Sequence, residues 1–375
     1  MSSASRVTYD VIVVGLGAMG SATAYELARR GMHVLGLDRF TPPHALGSSH
    51  GESRIIREAY FEHPAYVPMV QRAYELWRRL ENESGATLLR ETGGLMIGRG
   101  DSDLVEGALY SAKLHRLRHD LLSASEVRKR FPALHPESDM VAVWEPRAGL
   151  LLPEACISAQ LAMAQRCGAE LRYAEPMLRW QPHREGVRIF TARGEQHAQQ
   201  LVLAPGAWIG DVLPDLPLRI ERQVLFWFDP GAGRRMFSPE HCPVHLWQFD
   251  GRRFFYGFPN LGGGVKLAFH HGGETTAVDH VRREVTDAEV GEISAAMRRF
   301  VPEAGGTPCA STVCMYTNTS DEHFVIDHHP SHPQVLIASA CSGHGFKFSP
   351  VVAEIVADLI ERKQPPFELS LFRWR

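Results

Sequence analysis

The first residues with the spacing to do chemistry are three glycines. Gly15-Leu-Gly17-Ala-Met-Gly20 reads G-x-G-x-x-G. The run Tyr9-Asp-Val-Ile-Val-Val-Gly15 precedes it, continuously apolar after Asp10 and rich in β-branched residues, as expected of a strand buried on both faces. Ser21 to Arg30 follows as a helix stopped by Gly31. In such a unit Gly15 permits the tight turn, Gly17 lets backbone approach a pyrophosphate, and Gly20 lets helix and strand pack closely. The helix N-terminus then offers free N–H groups and the positive end of its dipole to the phosphates. Asp38 ends the next short strand, His33 to Asp38, roughly 20 residues on, where a carboxylate accepts hydrogen bonds from an adenosine ribose. These features together make a dinucleotide site. They do not separate FAD from NAD, although Asp38 disfavours the 2′-phosphate of NADP.

Around this βαβ unit the chain is long enough, at 375 residues, for two domains. With 44% hydrophobic and 22% charged residues it reads as a soluble globular protein. A formal net charge of −3 gives no basic field for nucleic acid or anionic membrane. No apolar run is long enough to span a bilayer, and the N-terminus enters its first strand without the longer apolar stretch and small-residue cleavage site of a signal peptide. Cys156, Cys167, Cys242, Cys309, Cys314 and Cys341 form no C-x-x-C pair, which argues against a zinc site or redox dithiol. A reducing cytoplasm is the expected location.

Helical spacing is expected over Tyr66 to Glu81, Pro153 to Cys167 and Thr286 to Phe300. Strands are expected over Thr92 to Ile97, Met140 to Trp144, Gln199 to Ala204 and Gln334 to Ser339, the last leading through Ser342–Lys347 into a C-terminal helix ending near Arg362. From Leu218 to His270 aromatic-rich runs read as a mixed or antiparallel sheet. The fold class is therefore α/β and α+β: a Rossmann-type nucleotide-binding domain (1–90, 145–220 and 305–375) interleaved with a substrate domain (91–144 and 221–304) built on a mixed or antiparallel sheet.

Four stretches are more specific. They are Gly47-Ser-Ser-His-Gly-Glu-Ser-Arg54-Ile-Ile-Arg57; Tyr256-Gly-Phe-Pro259 with the following Val265-Lys266-Leu; Cys314-Met-Tyr-Thr through Asp327; and Ser342-Gly-His-Gly-Phe-Lys347. In this order, over about Tyr9 to Phe372, the sequence resembles the monomeric sarcosine oxidase and N-methyl-L-tryptophan oxidase family of FAD-dependent amine oxidases. The resemblance implies FAD, attached covalently through Cys314 and contacted by Ser48, Arg54 and the loop Gly343, His344, Gly345, Phe346 and Lys347. It implies a carboxylate clamp of Arg57 and Lys347, which suits bidentate recognition by arginine. Lys266 matches the lysine that activates oxygen, a cation placed where negative charge develops. His50 and Arg54 would lie by the flavin ring, and Tyr256, His270 and Tyr316 would line the substrate pocket.

The chemistry so implied takes a hydride equivalent from an N-methyl carbon, hydrolyses the imine to formaldehyde and free amino acid, and returns the electrons to O2 as hydrogen peroxide. The cofactor carries the hard step, and the protein binds and orients. The expected partners are a small secondary amino acid, sarcosine first, and O2, with no nucleic acid and no membrane, for a chain acting as a monomer. Departures at Leu246-Trp-Gln, Ala268-Phe-His-His-Gly-Gly and Gly231–Cys242 leave open N-methyltryptophan, pipecolate or an Amadori-type amine. From the glycine motif alone an NAD-dependent dehydrogenase is also open. A nucleotide-holding non-enzyme would need neither Lys266 nor Cys314.

Overall fold

The computed structural model describes residues 8–183, 186–339 and 341–374. A parallel core opens the fold. Thr8–Val14 lies between Val34–Leu37 and the second half of Gly194–Leu203, with Glu170–Arg172 and His332–Ser339 outside them, all parallel. Arg179–His183 and Gly186–Thr191 extend this sheet as antiparallel strands. The first strand is apolar on both faces because both are covered. Val11 and Val13 pack with the helices Ala18–Arg29 and Ser349–Ile360, while Ile12 and Val14 pack with Val187, Leu201 and Leu203.

A second, nine-stranded sheet is mostly antiparallel. Its centre is Arg219–Phe228, Val265–His270, Arg253–Phe258 and Val244–Phe249, and Pro308–Asn318 pairs along almost the whole of Arg219–Phe228. Trp247, Phe255 and Phe300 form its aromatic core, with ring centroids of Trp247 and Phe300 5.0 Å apart. Between the sheets sits a small one of Arg54–Ile56, Gly149–Leu151 and Leu89–Glu91. The expected α/β and α+β architecture is what the chain adopts. A limit at 304/305 would separate Pro308–Asn318 from the sheet to which it is hydrogen-bonded, and we propose that the boundary of the substrate half lies after Asn318.

Two helices longer than a single turn go beyond the sequence expectation, Asp103–Leu114 and Ala124–Arg130. Each has a readable start. Ser102 caps the first through Val105 N–H, and Ser123 and Glu126 form a capping box at the second. The nucleotide helix begins at Ala18, ahead of the expected Ser21, so Gly20 lies inside it. Among the described residues no helix is long and apolar enough to cross a membrane.

Gly20 shows why the motif needs glycine: a β-carbon there would stand 1.6 Å from the carbonyl oxygen of Gly15. Gly20→Ala should therefore cost about 3 kcal/mol of stability, the upper end of what overpacking usually costs. The expected result is a lowered thermal midpoint and a loss of bound flavin. A wild-type melting curve and wild-type flavin content would contradict the packing role.

Candidate functional site

One cavity of about 560 Å3 runs through the molecule. At one end it is lined by Asp38, Arg39, Met177, Leu178 and Trp208, and at the other by Arg54, Arg57, Tyr256, His270, Cys314, Tyr316 and Lys347. The nucleotide end is built to receive an anion. Gly17 caps the helix Ala18–Arg29 without a side chain, and a β-carbon on it would meet nothing nearer than Ser49 Oγ at 3.8 Å. The helix N–H groups face that open space. Asp38 is fixed beside it: Leu16 N–H and Phe40 N–H each donate to its carboxylate at 2.7 Å. Burial raises its pKa, and those two amides and His44 work against the shift. These residues fit a dinucleotide of the FAD type lying along the cavity.

The segment from Ser48 to Glu62 supplies Ser48, Arg54, Arg57 and Glu62 to the other end, yet only Arg54–Ile56 of it is strand. Its remaining backbone is held by side chains from elsewhere. Gly51 N–H and Glu52 N–H donate to Glu154 Oε1 at 2.7 and 3.2 Å. Glu58 N–H and Ala59 N–H donate to the two oxygens of Glu145 at 2.7 and 2.8 Å. Burial pushes the Glu145 carboxyl up to about 7. Arg54 donates to the carbonyls of Ser53 and Ser48, both at 2.8 Å, and lies 3.7 Å from Cys314 Sγ. The Cys314 thiol is itself 3.6 Å from the Ser48 carbonyl, so Ser48, Arg54 and Cys314 converge.

Lys266 and His50 stand one layer behind the cavity wall. Lys266 alternates with apolar neighbours in a way that would suit a solvent-facing lysine, but it is 2% exposed because both faces of its strand are covered. Burial and then Arg54 pull its pKa well down, while Glu154 and Glu52 oppose them. Its Nζ donates to Gly51 O at 2.7 Å, Ser53 O at 2.9 Å and Ser53 Oγ at 3.2 Å, one acceptor for each ammonium proton. Three such bonds at about 1.5–3 kcal/mol each are comparable with the several kcal/mol of desolvation, so the site can hold the cation. His50 is neutral, its pKa lowered to about 4 by burial and by Arg54, and its Nε2 is buried without a partner among the described residues.

Arg57 and Lys347 meet at the far end around Glu62. Arg57 Nη2 donates to both Glu62 oxygens at 2.8 and 2.7 Å, and its other arm reaches Ala59 O at 2.9 Å. Burial opposes the arginine charge, yet Glu62 keeps its pKa above the ordinary value. Burial likewise opposes the Glu62 carboxylate, which Arg57, His344 and Lys347 hold below its ordinary range. Burial and Arg57 together bring Lys347 down to about 7. The opposite wall is aromatic. Tyr316 OH and His270 Nδ1 are 3.0 Å apart, and burial keeps His270 neutral and Tyr256 up at about 12. Gly343, at φ +76°, lets the loop Ser342–Lys347 approach this wall: a β-carbon would stand 2.6 Å from the Tyr316 ring.

Of the residues expected from the sequence, Gly15, Gly17, Asp38, Ser48, Arg54, Arg57, Tyr256, His270, Cys314, Tyr316, Gly343, His344, Gly345, Phe346 and Lys347 line this cavity. Gly20 packs beneath Gly15, and His50 and Lys266 lie behind the wall. Glu62, Glu145 and Glu154 were not singled out from the sequence. Glu62 lies five residues after Arg57, a spacing that carries no signal outside a helix. The partners of the other two are backbone amides in a distant stretch.

The sequence profile of the FAD dependent oxidoreductase family matches residues 10–359. A monomeric sarcosine oxidase of Streptomyces avermitilis is 50% identical over 371 residues, covering 97% of each chain. An N-methyl-L-tryptophan oxidase of Yersinia pestis is 32% identical over 366 residues, covering 97% of this chain and 98% of its own. Among solved structures, the open form of NikD, an amino acid oxidase essential for nikkomycin biosynthesis, is similar with a TM-score of 0.85, covering 98% of both chains. At 24% identity that likeness is one of fold.

The Arg57–Glu62 pair puts an internal carboxylate on the arginine expected to take an external one. Glu62→Gln removes that competitor, and acetate, followed by its perturbation of the visible spectrum, should bind about tenfold tighter. Unchanged or weaker binding would mean that Glu62 does not occupy the anion site.

Proposed function

The chain belongs to the monomeric sarcosine oxidase and N-methyl-L-tryptophan oxidase family of FAD-dependent oxidoreductases, and we propose that it oxidatively demethylates sarcosine to glycine, formaldehyde and hydrogen peroxide. One observation carries this reading. A cavity that starts at a dinucleotide cradle passes Cys314 and ends between Arg57 and Lys347, under the aromatic wall of Tyr256, His270 and Tyr316.

When bound, FAD supplies the two-electron acceptor and passes the electrons to O2. The protein's part is placement and electrostatics. Arg57 and Lys347 take the substrate carboxylate, which displaces Glu62 from the arginine so that Arg57 is never left unpaired. Arg54, Arg57 and Lys347 together make an ammonium costly at this end of the cavity, so the substrate amine is held neutral, the form that reacts. Neutral His270, with Nδ1 on Tyr316 OH, adds no charge and fixes the wall against which the amine and its methyl group lie. Lys266 is the cation we assign to oxygen activation, held by Gly51 and Ser53 behind the segment that faces the flavin. Cys314, beside Arg54, is the residue we assign to a covalent flavin link. The six cysteines are free, which accords with a reducing compartment, and we place the enzyme in the cytoplasm as a monomer.

The decisive experiment is the visible spectrum of the purified protein before and after anaerobic sarcosine. A flavin band that bleaches and returns on admitting air, with peroxide formed, is the expected result. A yellow protein that does not bleach would reject sarcosine in favour of bulkier N-methyl or cyclic amino acids. Lys266→Met should slow reoxidation by O2 at least about tenfold while anaerobic reduction keeps its rate, and equal slowing of both half-reactions would remove the oxygen role. In Cys314→Ala the flavin should come off on acid precipitation, and yellow pellets would defeat the covalent assignment.

A further inference from the structure

Tyr60 takes no part in the mechanism above and does not line the cavity, yet it touches both cations of the clamp. It is fully buried. Its ring lies under the Arg57 guanidinium, 4.3 Å from Cζ to the centroid. Its hydroxyl accepts from Lys347 Nζ at 3.2 Å and stands 2.7 Å from His344 Nδ1. The protons can be placed. His344 Nε2 is 3.0 Å from Glu322 O, an acceptor only, so Nε2 carries the hydrogen and Nδ1 is free to accept. Lys347 therefore donates to Tyr60, Tyr60 donates to His344, and His344 donates to a backbone carbonyl. Burial keeps His344 neutral, with a pKa near 3, as this direction requires.

Resting on the reading of Arg57 and Lys347 as the carboxylate clamp, we propose that the Tyr60 hydroxyl is a positioning group that couples Lys347 to His344. Through it, binding of the substrate carboxylate and the geometry of the flavin-facing loop Ser342–Lys347 depend on one O–H group. The alternative of an isolated clamp leaves that chain without a use. Lys347 donates a second bond to His344 O at 2.7 Å, so the lysine, the tyrosine and the loop form a closed set of contacts. The ring face and the hydroxyl serve different cations. The ring meets Arg57, a planar ion that stacks well, and the hydroxyl meets Lys347, a point charge that wants an acceptor.

The charged and titratable groups facing Lys347 are Arg57, Glu62, His344 and His270. Arg57 disfavours its charge and Glu62 favours it. A hydroxyl oxygen accepting from the ammonium also favours the charged form, so its removal should lower the lysine pKa further. The ammonium binds a carboxylate best. Affinity is therefore full below that pKa and falls as pH rises through it.

Tyr60→Phe keeps the ring under Arg57 and removes only the hydroxyl. In the holoenzyme, KM for sarcosine and the Kd for acetate should each rise about tenfold while kcat stays within about threefold. The pH above which acetate binding declines should fall by about one unit. A lower thermal midpoint with unchanged Kd, KM and pH profile would make Tyr60 a packing residue and overturn the coupling. Should that variant not be recovered folded, His344→Gln tests the chain from its other end, and an unchanged acetate Kd there would equally overturn it. Lys347→Met separates the two readings: if it leaves acetate binding unchanged, the clamp itself is wrong, whatever Tyr60 does.

Discussion

The structure depends on how the backbone between Ser48 and Glu62 is satisfied. This segment carries Arg54, Arg57 and Tyr60, and it runs through the interior with three residues of regular strand. A buried amide without a partner costs about 1–3 kcal/mol; Glu58 and Ala59 present two such amides, and half-buried Gly51 and exposed Glu52 present two more nearer the surface. Two carboxylates satisfy them in pairs, Glu154 from the first turn of a helix and Glu145 from the end of a strand. On the other side the carbonyls of Gly51 and Ser53 receive Lys266. Acid groups thus hold the N–H edge of the segment and a basic group holds its C=O edge. Arg57 lies beyond the strand and is aimed by these contacts, whereas Arg54 also stands in the ladder that pairs Arg54–Ile56 with Gly149–Leu151.

The same arrangement settles the electrostatics. Three cations near the cavity's reacting end would repel one another if left bare. None is bare: Arg54 spends its arms on carbonyls, Arg57 on Glu62 and Ala59 O, and Lys347 on Tyr60 and His344 O. Only one of these partners, Glu62, is a carboxylate on a short segment between two aromatic residues and a proline, and so chemically equivalent to what a substrate brings. Exchange of one carboxylate for another at Arg57 keeps the arginine paired throughout. That makes binding possible at a buried guanidinium that could not tolerate the loss of a partner.

Legibility from the sequence followed the range of the interactions. The βαβ unit was readable because strand, glycines, helix and acid lie within one short stretch and each residue's job is local. The long motifs at Arg54, Cys314 and Lys347 pointed by resemblance to Arg54, Arg57, Cys314, Tyr316 and Lys347, which line the cavity's far end. The burial of Lys266 was not readable: alternation along Val265–His270 is the same whether the second face meets water or protein. Glu145, Glu154 and Tyr60 were silent for a related reason. Each acts through atoms that every residue possesses, or through partners far along the chain, and neither leaves a compositional mark. The missed helices Asp103–Leu114 and Ala124–Arg130 did leave one, in their serine caps.

Interleaving of the two sheets follows from what the site must bring together. The glycine cradle and the loop Ser342–Lys347 belong to the parallel sheet, whereas Lys266, His270, Cys314 and Tyr316 stand on adjoining parts of the other. A flavin in this cavity would be held at its phosphates by the first group and at its ring by the second. The segment Ser48–Glu62 reaches both, because its short strand is anchored in the small sheet between them. Consecutive domains joined by one linker would let the halves move relative to each other, and clamp distances of about 3 Å would not survive such motion. Repeated crossing of the chain between the sheets, together with the close approach of Gly343 to Tyr316, ties Arg57 and Lys347, the clamp we propose, to the wall of Tyr256, His270 and Tyr316.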